Sequence, residues 1–98
     1  MANDERQAVE QAREMLSTLT PTTARTDTIV RDLRYASGLM ARAASKGSSS
    51  EMALNDLRGD ASTALNAVTS ALDRRTLTKE VIDKARQAIA LVLDQLPA

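Results

Sequence analysis

In four successive stretches of this chain the apolar residues recur every three or four positions, and that spacing constrains the fold more than any other feature. Ala8, Val9, Ala12, Met15, Leu16 and Leu19 follow a helical series without a miss. Ile29, Leu33, Ala36, Met40 and Ala43 repeat the alternation, and so do Leu54, Leu57, Ala61, Ala64, Val68 and Ala71, with Leu65 and Leu72 widening that seam. Ile82, Ala85, Ile89, Val92 and Leu96 complete the pattern. Side chains three and four apart share one face of a helix, so each stretch reads as a helix with a single apolar stripe. No stretch of useful length alternates with period two, which leaves no candidate strand.

The interruptions fall where helices are expected to end. Proline disfavours the helical region for its predecessor and suits the first turn of a new helix, so Thr20-Pro21 separates the first two helices. Lys46-Gly47 is a stop with a cation in the last turn, and Ser48 with Glu51 makes the S-x-x-E pattern of a capping box. Around Asp73 to Thr78 the pattern breaks again, with Thr78 placed to cap the last helix and Leu77 to staple onto Ile82. Gly59 lies inside the third helix at a cost of about 1 kcal/mol relative to alanine. The pattern predicts an all-α single domain with helices over about 4–19, 22–46, 50–74 and 78–96.

Short connections force neighbouring helices antiparallel, which predicts an up-down-up-down bundle of short, long, long and short helices. The central pair is expected to outrun the outer pair by about 10 Å. The overhanging tip would carry Leu39, Met40, Ala43, Ala44, Met52 and Ala53. The core is lean as well, with seventeen alanines and no phenylalanine or tryptophan among 98 residues. A chain of this size buries only about 60–65% of the surface it exposes when unfolded. These two features together predict a homodimer that completes the bundle, with Leu39, Met40 and Met52 at the interface.

Residue types narrow the chemistry. Histidine and cysteine are both absent, which excludes disulfides, zinc fingers and the usual thiol or histidine nucleophile pairs. A di-metal bundle site would need Glu-x-x-His pairs, and Lys46-Gly47-Ser48 reverses the order of a phosphate-binding GK[ST] ending. No catalytic residue, cofactor or metal ligand is therefore expected, and the chain reads as non-enzymatic. Arg58-Gly59-Asp60 resembles the integrin-binding RGD tripeptide, but a mid-helix position would not present it as a projecting loop. The N-terminal region lacks the basic start and apolar stretch of a secretory leader, and no apolar run approaches the ~20 residues that span a bilayer. The expected location is the cytoplasm, away from membranes.

Thirteen basic residues balance thirteen acidic ones, so no overall field draws the chain to nucleic acid. Locally the balance differs: residues 1–20 hold four acidic and two basic residues, whereas residues 21–47 hold five basic and two acidic. On the second helix the core stripe of Ile29, Leu33, Ala36 and Met40 leaves Arg31, Arg34, Gly38 and Arg42 on the opposite side, with Tyr35 at the flank. Arginine and tyrosine are the types that most often anchor interfaces, so Arg31, Arg34, Tyr35 and Arg42 form a candidate partner-binding face. The plainer reading has these arginines pairing with the acidic first helix or simply lying in solvent. The expected function is a small helical regulator or adaptor that binds and modulates a protein partner. The alternative is a DNA- or RNA-associated regulator using the same arginine face.

Overall fold

The computed structural model describes residues 3–46 and 51–96, which form four helices: α1 (Asn3–Thr18), α2 (Asp27–Lys46), α3 (Met52–Arg74) and α4 (Lys79–Gln95). No strand occurs among the described residues. α1 packs on α2 and α4, α3 packs on the same two helices, and the most extensive seam joins α2 to α3. This is the square, antiparallel bundle that the short connections dictate, with one core drawn from all four helices. The apolar stripes point inward as their spacing requires. Val9, Leu16, Leu33, Met40, Leu65, Val68, Ile82, Ile89 and Val92 are fully buried.

Small residues set the closeness of the α2–α3 seam. Ala36 and Ser37 on α2, and Ala61 and Ser62 on α3, are all buried. The Ser37 and Ser62 hydroxyls lie 2.7 Å apart, and Ser37 donates to Asn66 Oδ1 at 2.9 Å. Ser62 also reaches the Ser37 carbonyl at 3.2 Å. Buried hydroxyls cost free energy unless they are bonded, so this small network holds the register of the two long helices.

Arginines from neighbouring helices close two helix ends. Neither α1 nor α4 has a basic residue in its last turn. Arg86 of α4 donates through Nε and Nη2 to the Leu16 carbonyl at 2.9 and 2.6 Å, and Arg6 of α1 donates to the Leu96 carbonyl at 3.3 Å. The carbonyls left open at each C-terminus thus receive cations from across the seam. α3 ends differently. Arg75 takes the left-handed conformation (φ 58°), its N–H meets the Leu72 carbonyl at 3.3 Å, and the Thr76 N–H meets the Ala71 carbonyl at 2.9 Å. This is the Schellman pattern with arginine where glycine is usual. Thr78 caps α4 as expected, accepting from the Val81 N–H at 3.2 Å, and Leu77 is buried in the core with Ile82.

The structure corrects several expectations. α2 begins at Asp27 and not near Thr22. The threonines after α1 bond to one another's backbone: Thr20 N–H donates to Thr23 Oγ1 at 2.8 Å and Thr23 N–H to the Thr20 carbonyl at 3.0 Å. Hydroxyls that satisfy the backbone locally compete with helix, and Pro21 occupies the turn they form. Thr26 then caps the helix, its Oγ1 accepting from the Ile29 N–H at 3.2 Å. Ser48 and Gly47 lie outside the described residues, and the Glu51 side chain makes no capping bond to α3. The helices contain 16, 20, 23 and 17 residues, so the central pair outruns its neighbours by less than expected on the α2 side.

One residue expected at the tip lies in the interior instead. Met40, expected at an exposed tip, is fully buried, because it continues the Leu33–Ala36 stripe into the core. Leu39 is half-buried and packs on the core. Met52 alone of the three proposed interface residues is well exposed, at 64%.

Candidate docking face on the second helix

The inward stripe of α2 comprises Val30, Leu33, Ala36, Ser37 and Met40. A helix buried along one face must turn the remaining positions outward, and Arg31, Arg34, Tyr35 and Arg42 are all exposed. Tyr35 is 53% exposed and its phenol has no hydrogen-bond partner among the described residues. Arg31, Arg34 and Tyr35 line an open depression of about 520 Å³, together with Arg25, Asp27 and Val30. Arg42 stands apart, two helical turns or about 10 Å beyond Tyr35, and is not among the residues of the depression.

The charges are arranged around two aspartates. Arg25, in the segment before α2, donates from Nε to Asp73 at the end of α3 and from Nη1 to Asp27 at 3.0 Å. These hydrogen bonds, that to Asp73 first, raise the Arg25 guanidinium above its ordinary range. Arg34 approaches the other Asp73 oxygen at 3.6 Å, while Arg31 reaches only its neighbour Asp32, at 3.9 Å. The arginines of α2 therefore meet α3 and their own helix, and the acidic α1 directs Glu5 to Arg58 and Glu10 to Arg6. Of the three arginines lining the depression Arg31 is the most open, with 76% of its side chain exposed against 59% for Arg34 and 41% for Arg25.

Arg25 is the contributor that periodicity does not reveal. It lies in a connection that the spacing assigns to helix, and its place is fixed by a carboxylate 48 residues away. The RGD-like tripeptide is not presented. Arg58 is buried, and its guanidinium forms two bonds to Glu5, at 2.7 and 2.8 Å. Among the described residues no group of three or more histidine, cysteine, aspartate or glutamate side chains could hold a metal ion. No helix of the described residues is long and apolar enough to cross a membrane.

The α2 face offers a wide, shallow surface of guanidinium planes and one free phenol over the buried Val30. Such a surface suits a flat polar contact and not an enclosed small molecule. In comparisons with known proteins, the chain matches no family model, no curated protein and no solved structure.

Proposed function

We propose that this protein is a non-enzymatic interaction module that docks a protein partner on the outer face of α2 and modulates it as a small regulator or adaptor. The observation that carries this reading is the side-by-side exposure of Tyr35, Arg31 and Arg34 in one open depression. Tyrosine and arginine supply large contact area and several donors, and they dominate the energetic centres of interfaces. A partner that contributes carboxylates or backbone carbonyls would satisfy Arg31 and the Tyr35 hydroxyl together. Nucleic acid is the weaker fit to the same face, because Asp27 and Asp73 neutralise Arg25 and draw off Arg34.

The test is capture from the native host with the wild-type chain and with an Arg31→Glu, Tyr35→Ala variant. Both residues are exposed, so the variant should keep its circular dichroism. The partner recovered by the wild type is expected to be lost. Equal recovery by the two chains would remove this face from consideration. Affinity for a nucleic acid that falls steeply with salt would point to the alternative instead.

A further inference from the structure

A second surface, on the α3–α4 pair, carries features of a self-complementary contact and does not depend on the α2 reading. Between α3 and α4 runs a groove of about 500 Å³ lined in part by three alanines, Ala64, Ala67 and Ala88, and by the polar Thr63 and Gln87. Leu91 stands at its edge, 52% exposed. Asp60 and Lys84 also line it, and neither has an ion-pair partner among the described residues. We infer that this face binds a second copy of the chain, with the two α3–α4 pairs crossing antiparallel about a two-fold axis.

The register follows from the hairpin. α3 runs toward the turn at Arg75 and α4 runs away from it, so Ala67 and Lys84 lie near the turn while Asp60 and Leu91 lie about 10 Å farther from it. Each groove therefore has a projecting leucine and a carboxylate at one end, and a flat alanine and an ammonium at the other. An antiparallel two-fold stacks α3 on the second copy's α3 and α4 on its α4, so Leu91 falls over the aliphatic stem of the second copy's Lys84, Asp60 falls over its Ala67, and Asp60 stands level with that Lys84 across the groove. Symmetry makes every contact twice. The parallel alternative sets Leu91 over the second copy's Asp60 and leaves both lysines facing alanine, which buries charge without a partner.

The size of the face sets the strength of the contact. Two helices are about 20 Å wide and α4 is about 25 Å long, giving a projected area on the order of 500 Å² per copy. That is at the low end for specific interfaces, so the dimer dissociates on dilution and is not obligate.

Sedimentation equilibrium of the full chain, from micromolar to millimolar, tests this directly. The average mass should rise from that of one chain toward that of two. Leu91→Asp should weaken association about tenfold or more with helicity unchanged, since the residue is exposed. Asp60→Lys should also weaken it, and adding Lys84→Asp to that change should restore it, because the reversed pair meets across the axis. A monomer at every concentration would overturn the inference. So would a dimer indifferent to Leu91→Asp, or charge reversals whose effects simply add.

Discussion

Two arginine–carboxylate pairs tie opposite ends of the bundle, and they differ in the one property that decides what an ion pair is worth. At one end Arg58 of α3 grips Glu5 of α1 with two parallel bonds, and Asn55 and Glu51 complete its donors at 2.9 and 3.4 Å. Only 9% of the Arg58 side chain is exposed. At the other end Arg25 holds Asp73, yet 41% of that arginine faces water. Water screens the second pair and competes for its hydrogen bonds, so its net contribution is small. The first pair is screened far less, and removing one member leaves the other poorly solvated. Identical chemistry is structural at one end of the molecule and nearly neutral at the other.

Substitutions at each end should separate the two cases. Arg58→Met strands Glu5 and is expected to lower unfolding stability by about 2–4 kcal/mol, read from the midpoint of urea denaturation. A loss below ~1 kcal/mol would mean that Glu5 finds water as readily as Asp73 does. Arg75→Gly, at the open end, should raise stability by about 1 kcal/mol, since glycine adopts the left-handed turn without a Cβ penalty. A drop in melting temperature would show that the Arg75 side chain makes up for its backbone. Asp73→Asn should be the mildest change, about 0.5 kcal/mol or less, and the difference from wild type should vanish in high salt.

The buried pair also has a consequence for pH. Hydrogen bonds to Glu5, opposed in part by burial, hold the Arg58 guanidinium above its ordinary range. The folded state thus binds that proton more tightly than the unfolded chain does. The resulting stability is complete below the ordinary guanidinium range and is lost only as pH climbs through the raised value. Arg58 therefore adds no slope to stability between neutrality and mild alkali.

Much of this architecture is legible in the residue order. All of the α4 stripe, from Ile82 to Leu96, is buried, and the α1 stripe is buried except for half-exposed Met15. These assignments succeed because a helix stripe is a local property of spacing. Spacing sets the start of α2 too early because four threonines between Thr20 and Thr26 can serve either a helix or a turn, and their hydroxyls decide for the turn. The interior positions of Ser37, Ser62 and Arg58 are not legible, because a polar residue goes inside only when a specific partner from another helix meets it. The α2 arginines lie on the outside as their spacing requires, but their grouping with Arg25 depends on Asp73, which no local pattern connects to them.

Residue order alone determined the helical class, the antiparallel connectivity and the direction in which each apolar stripe points, because spacing, capping residues and short connections act over a few positions. Tertiary structure decided how far the central hairpin extends, whether Met40 meets solvent, which arginine becomes interior, and which small residues are left to line the α3–α4 groove. Those outcomes depend on how helices slide and rotate against one another. That freedom is settled only by packing and by polar groups finding partners across a seam.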